Sequence, residues 1–361
     1  MKIFFYHTED IQYIYSNWEK GIFPGHLLYG ATHFKEYGIE IIMCQHREYR
    51  SRLAMMIDTA RQVLFCKEKF DAIFATHYKG LEIIIMLRAL GLYRRKIVVW
   101  HHQPIITPSQ LWREWFGRIF YRGIDEMFFF SQRLYEESLQ SRKARPERMH
   151  VGHWGPDLDF YDKIINTVEK KDVNESVEQH KFISTGKERR DVRTLIEAFN
   201  ATGEELEVFL SKTNCGINYE EMLSTMDIKD NIHIHFTSGL LHDKLCLLVH
   251  RSFCVVICCL ETKYTVGLTS VVEALGLGMP VIISRNVKIP IDFDKEGCGI
   301  TVDYSDTQGW IDAIKYIAAH PDKAAEMGRK ARRLAEDRFN DRICAAEVAT
   351  VLKKVVGKTF T

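Results

Sequence analysis

The sequence predicts an α/β protein of two domains, each a parallel sheet covered by helices. Three features point there. The chain has 361 residues, more than one hydrophobic core usually holds. Short apolar runs alternate with longer stretches of helical spacing, as they do where crossover helices join parallel strands. The alternation breaks at a polar, charged stretch at 162–181 and then starts again.

In the first half the strand candidates are KIFFYH (2–7), GIEIIMC (38–44), DAIFATH (71–77), KIVVWHH (96–102), EMFFFS (126–131) and MHVGHW (149–154). The stretch DKIINTVEKKDVNESVEQHK (162–181) lacks a strong apolar period and reads as a linker. It sets an N-terminal domain at 1–165 and a C-terminal one at 180–340. The second set of strands is KFISTG (181–186), ELEVFLS (205–211), NIHIHFT (231–237), FCVVICC (253–259), MPVIISR (279–285) and GITVDY (299–304). Helical spacing with few breakers follows Pro321, so the chain is expected to end in helices, the last (341–361) crossing back to the first domain.

Lys and Arg number 49 against 48 Asp and Glu, a net charge of +1, which excludes the global basic field of a nucleic-acid binder. Nine cysteines, scattered through apolar runs without paired spacing, predict neither a zinc site nor a disulfide framework. The N-terminus, MKIFFYHTED, turns polar too early for a signal-peptide core, and no apolar run reaches the roughly 18 residues of a membrane span. A cytoplasmic protein is expected.

Two segments carry chemistry. In VGLTSVVEALGLGMPVIIS (266–284) a loop, Gly267 to Thr269, leads into a helix that ends at Gly278 and Pro280. Free N–H groups and positive dipole charge at such a helix start suit a diphosphate. Glu273, one turn inside, is either a ligand for ribose hydroxyls or a solvated helix residue. In STGKERRDVRTLIEAF (184–199) a strand ends at Gly186, and Lys187, Arg189 and Arg190 precede an amphipathic helix. Cations at the carboxyl end of a strand suit phosphate oxygens. The alternative is an exposed turn with Arg190 and Asp191 paired on the surface.

In order and spacing these segments resemble the retaining glycosyltransferases of family 4 and their GT-B relatives. That family shows a strand ending in Gly-Arg, a Lys-Gly pair before a Leu-Ile-Glu-Ala-Phe helix, and a loop running into Glu-Ala-Met-Ala-x-Gly-x-Pro-Val. Here the matching residues are Gly186-Lys187, Arg190-Asp191 before TLIEAF (194–199), and EALGLGMPVI (273–282), with a similar closing segment at 296–339. The resemblance covers most of 181–340. It implies two Rossmann-like α/β/α domains with parallel sheets facing an interdomain cleft. The implied reaction moves a sugar from a nucleotide-diphosphate sugar to a hydroxyl acceptor, with retention of configuration and no metal or other cofactor.

By the same resemblance Lys187 and Arg190 hold the donor diphosphate beside Gly186 and the segment Gly267, Leu268, Thr269 and Ser270, and Glu273 binds ribose. The family's upstream glutamate, eight residues before, is replaced by Thr265, with Glu261 farther back. That departure keeps open a nucleotide-sugar-binding homologue without turnover, and the shared double Rossmann plan keeps open a GT-B-shaped sugar-nucleotide epimerase. In the N-terminal half, VVWHHQP (98–104) offers His102, or its neighbour His101, for the histidine that touches the donor sugar. FPGHLLYG (23–30) stands where the family has a glycine-rich loop, placing Gly25 and His26 near a sugar, glycan or lipid-linked acceptor. LWREWFGRIFYRGI (111–124) combines aromatic residues with three arginines, which fits either contact with an anionic membrane face or a core-facing helix with a charged outer side.

Overall fold

A computed structural model describes residues 1–171, 181–237 and 242–357, and each of the twelve apolar runs contributes a strand. In the first half these are β1 (Lys2–Tyr6), β2 (Glu40–Met43), β3 (Ala72–Ala75), β4 (Lys96–His101), β5 (Glu126–Phe129) and β6 (Met149–Val151). In the second they are β7 (Phe182–Ser184), β8 (Leu206–Leu210), β11 (Ile232–Phe236), β12 (Cys254–Ile257), β13 (Val281–Ser284) and β14 (Gly299–Val302), with a hairpin of β9 (Thr213–Asn214) and β10 (Ile217–Asn218) inserted after β8. The hairpin turns through two left-handed residues, Cys215 (φ 49°) and Gly216 (φ 80°), as tight hairpins require. Its strands are too short to leave an apolar run in the sequence.

The chain divides into two compact units: 1–20, 25–154 and 341–361 in one, 21–24 and 155–340 in the other. The first holds a six-stranded sheet in the order β2-β1-β3-β4-β5-β6, every pair parallel. Its inner strands β1, β3, β4 and β5 are buried on both faces, with Phe5, Phe74, Trp100 and Phe128 among the largest fully enclosed side chains, as expected when helices cover both sides of a parallel sheet. The helix Asp341–Gly357 belongs to this unit. His33 Nε2 lies 2.9 Å from Asp341 at its start, and His153 Nδ1 lies 2.6 Å from Glu347.

The second unit repeats the plan as β11-β8-β7-β12-β13-β14, again all parallel. Phe182, Leu195, Phe199, Val256, Ile282 and Trp310 lie in its core. In each sheet the order reverses once, between β1 and β3 in the first and between β7 and β12 in the second. A crevice opens at such a reversal because the crossovers on its two sides leave in opposite directions.

The stretch read as a linker is corrected here. Residues 162–171 continue the helix Leu158–Lys171, while 172–180 lie outside the described residues. The second unit begins at Gly155, ahead of that helix, rather than after 165. The helix buries Phe160, Tyr161 and Ile164 near its start, so its apolar signal precedes 165 and the polar remainder looks unstructured in sequence. Among the described residues no helix is long and apolar enough to cross a membrane, and all nine cysteines are free thiols.

Candidate functional site

The second unit gathers its candidate residues at the β7–β12 reversal. After β7 the chain passes Thr185 and turns at Gly186, whose φ of 106° is left-handed. It then returns through Arg190, which bridges to Cys259 just beyond β12. Asp191 caps the helix Val192–Thr202 by accepting the Thr194 N–H at 3.2 Å and the Thr194 hydroxyl at 2.9 Å. Asp191 is therefore not in a surface pair with Arg190, and that alternative is excluded.

Arg190 points inward and is 7% exposed. All five guanidinium hydrogens have acceptors. Nε and Nη2 both donate to the Thr185 carbonyl (3.1 and 2.9 Å), and Nη1 donates to the Glu188 carbonyl and to Cys259 Sγ (both 3.1 Å). The remaining Nη2 hydrogen goes to Ser270 Oγ at 3.0 Å. Every partner is neutral, and among the described residues no carboxylate lies within ion-pair distance. A buried cation whose direct partners are all neutral is costly, so the spot favours an arriving anion. Lys187, three residues earlier, is exposed and makes no ion pair among the described residues.

Ser270 ties this loop to the helix Leu268–Leu277, which starts two residues earlier than its sequence suggests. Its N-cap is Gly267 at φ 88°, with no side chain closing the helix end. The Leu268 N–H turns back to the Thr265 carbonyl at 3.1 Å, while the Thr269 and Ser270 N–H groups make no backbone bond among the described residues. These two donors and the helix dipole face the region of Arg190. Thr269 is exposed and Ser270 buried, so the helix start grades from solvent into the guanidinium.

Glu273 is buried, which removes the solvated reading. Its carboxylate accepts from Cys246 Sγ at 3.1 Å and from Thr185 Oγ1 at 3.3 Å. Burial pushes its pKa above the ordinary range, against the lowering effect of those bonds and of Arg190. Thr265 is half-buried and Glu261 exposed. Glu188 accepts from the Tyr264 hydroxyl at 2.6 Å, fastening the Gly186–Arg190 loop to the segment before the helix. Cys246 and Tyr264 lie outside both motifs and Thr185 is an uncharged member of one, so none stands out in the sequence; only folding places them beside Glu273 and Glu188.

Two Asp-x-Asp spacings, at 157–159 and 292–294, resemble metal-binding pairs. Asp157 accepts the Phe160 N–H and Asp292 the Lys295 N–H, both at 3.1 Å, so each serves a helix start.

In the first unit histidines collect where β1, β3 and β4 end. His7 follows β1, His77 follows β3 beyond Thr76, and His102 follows β4. The His77 and His102 rings lie 4.9 Å apart. The Nδ1 atoms of His7 and His77 accept backbone N–H groups from Glu9 (2.9 Å) and Lys79 (2.8 Å). A backbone N–H can only donate, so both rings are neutral with the proton on Nε2. Burial, then the neighbouring His102, pushes His7 down to about 4 and His77 to about 3. His102 Nε2 donates to the Thr76 carbonyl at 2.7 Å. His7 and His77 are legible as strand-end residues, but only the fold sets them beside His102.

Two first-half candidates, His101 and His26, are enclosed. His101 is fully enclosed, its Nδ1 2.5 Å from the Gln103 carbonyl and its Nε2 2.9 Å from the Tyr121 hydroxyl, so it is spent on structure and half-buried His102 is the more accessible of the two. His26 is buried edge-on against Trp154, whose Nε1 donates to the His26 carbonyl at 2.8 Å. Gly25 opens the same short 3-10 turn, Gly25–Leu28, and is buried with it. A dense aromatic cluster around Trp154 and Tyr29 closes over this turn, which the local sequence does not reveal.

The depressed histidines predict a pH dependence. From the ordinary value of 6.5 down to about 3, the unfolded chain binds protons that folded His7 and His77 do not, so stability falls with pH in that window and is unaffected by them above it. Thermal melting against pH should show a shallower acid decline for His77→Asn than for the parent. Identical slopes would contradict the assignment.

No family model matches the chain. Over 268 residues, 72% of this chain and 61% of the relative's length, it is 22% identical to the MMP alpha-(1->4)-mannosyltransferase of Mycolicibacterium hassiacum. Sucrose-phosphate synthase from Thermosynechococcus elongatus shares the fold with a TM-score of 0.73 at 14% identity, covering 99% of this chain and all (100%) of that one. The fold is GT-B. Another GT-B structure, Anabaena HepE in complex with UDP, matches with a TM-score of 0.66 at 15% identity over 98% of this chain and 100% of that one. These relatives are GT-B glycosyltransferases. In this GT-B chain the buried Arg190 and the uncapped helix belong to the second of the two units.

Proposed function

We propose that the chain is a family 4-type glycosyltransferase, moving a sugar from a nucleotide-diphosphate sugar to a hydroxyl acceptor with retention of configuration. The observation that carries this reading is the Arg190 guanidinium, buried with no carboxylate at ion-pair distance among the described residues and hydrogen-bonded to Ser270 at the uncapped start of a helix. The likeness to HepE, solved with UDP, supports a nucleotide donor, and the mannosyltransferase relative supports sugar transfer.

As the bond from the sugar to the diphosphate breaks, negative charge grows on the departing phosphate. Arg190 is held at the start of the helix that presents the Thr269 and Ser270 N–H groups, with exposed Lys187 on the same loop; fixed dipoles and charge of this kind stabilise such charge without reorganisation. The neutral side-chain acceptors of Arg190, Ser270 Oγ and Cys259 Sγ, are the partners a phosphate oxygen would replace. Glu273 keeps lone pairs for the ribose hydroxyls. Retention follows the family pattern, in which the leaving phosphate helps take the acceptor proton, so no protein base is assigned. The same cations do the work of a metal. The acceptor belongs to glycan, polysaccharide or glycolipid assembly.

Thr265 in place of the upstream glutamate favours one second reading, a homologue that binds the donor without turnover. Calorimetric titration with UDP, GDP, ADP and dTDP sugars, followed by a product assay with and without EDTA, separates them. One nucleotide sugar is expected to bind and to be consumed at equal rates in both buffers. Binding without consumption supports the second reading, and absence of binding to all four overturns both.

A further inference from the structure

The helix Leu111–Arg122 has an apolar face with nothing packed on it. Leu111 is 88% exposed, Trp112 65% and Trp115 67%; Phe116 is also exposed, as is Ile106 in the preceding loop. Only Phe120 of this helix is buried, so the core-facing reading does not hold for its tryptophans. At the turn of an α-helix, positions 111, 112, 115, 116 and 119 form one continuous stripe. Arg118 and Arg122 fall along one edge of the stripe and Arg113 along the other. The helix has a single acid, Glu114, which is shared between Lys143 (2.6 Å) and Arg118 (3.0 Å). Arg113 lies over the Trp112 ring, 5.3 Å from its centroid, and Arg122 has no partner among the described residues.

We propose that this helix lies on an anionic lipid bilayer, its Leu111, Trp112, Trp115 and Phe116 side chains among the acyl chains and its arginines at the headgroups. Apolar side chains of this size are seldom left in a contiguous exposed patch unless a partner covers it. The flanking charge selects the partner. A second copy of this chain would meet the stripe with the same stripe, setting the arginines against each other, whereas lipid phosphates complement both edges at once. Tryptophan also suits the boundary between water and lipid, with an apolar ring and one N–H for a headgroup oxygen.

The test is flotation of the full chain with vesicles of phosphatidylcholine alone and with added phosphatidylglycerol. Binding is expected to the anionic vesicles, weakening as salt rises, with tryptophan emission quenched by brominated acyl chains; the remaining tryptophans are buried or half-buried. Trp112→Ser with Trp115→Ser should lower binding about tenfold or more. Arg118→Glu with Arg122→Glu should abolish the preference for anionic vesicles, and both doubly substituted chains should melt like the parent. The proposal is overturned if the parent stays with the buffer, if both variants float as it does, or if the chain dimerises and the tryptophan substitutions dissolve the dimer. Flotation needs no donor, so such a failure leaves the transferase reading untouched.

Discussion

Arg190→Ala is expected to lose both donor binding and about 3 kcal/mol of stability, whereas Lys187→Ala loses affinity alone. The two cations stand on one loop but in opposite surroundings. Arg190 is enclosed, and its truncation removes two donors from the Thr185 carbonyl and the guanidinium partner of Cys259 Sγ, while Ser270 Oγ keeps only its longer bonds to Thr185. Unpaired buried groups cost about 1–3 kcal/mol each, with partial relaxation bringing the sum down. Lys187 is exposed and unpaired among the described residues, so its removal should change stability by no more than about 0.5 kcal/mol. It should weaken the donor about tenfold, the scale of one charge-assisted contact to phosphate. Chemical denaturation and donor titration on both variants check this. Equal stability loss in the two would contradict the burial of Arg190, and undiminished donor affinity in both would remove the diphosphate from this loop.

Gly186→Ala should be the most damaging single methyl in the second unit's loop. At φ 106° an L side chain is strained by about 1–3 kcal/mol. The added Cβ would also overlap Nη2 of Arg190 and sit 3.0 Å from Ser270 Oγ. The guanidinium cannot retreat without giving up the bonds that compensate its burial. We expect a total loss of about 3–5 kcal/mol and no detectable donor binding at concentrations that saturate the parent. Measured by thermal melting and calorimetry, a melting point and affinity within error of the parent would show that the loop repacks freely and that the Gly186–Arg190–Ser270 contact is incidental.

These predictions draw unequally on what the residues show before folding. The twelve main strands were legible because fully buried parallel strands are short apolar runs bounded by polar residues, as in AIFA and VIIS. The helix after Gly267, to within two residues of its start, and the cations after Gly186 were legible too, because strand-end loops and helix starts follow from local spacing. The helix Leu158–Lys171 was not, since its apolar residues crowd one end and its period fades. The burial of His26 and His101 was not legible for a related reason. Whether a histidine at a strand end or in a turn meets solvent depends on aromatic rings arriving from distant segments, here Trp154 and Tyr121.

The order of residues alone thus dictates two alternating α/β halves, the places where their strands end, and a loop and helix start suited to phosphate, since each rests on contacts between near neighbours in the chain. It does not dictate how the cations divide their work. Arg190 turns inward to Thr185 and Ser270 while Lys187 stays in water. Glu273 is enclosed with Cys246, and the tryptophans of Leu111–Arg122 are left bare. Those outcomes belong to tertiary packing, because burial and charge compensation depend on segments tens of residues away that meet only when the sheets form.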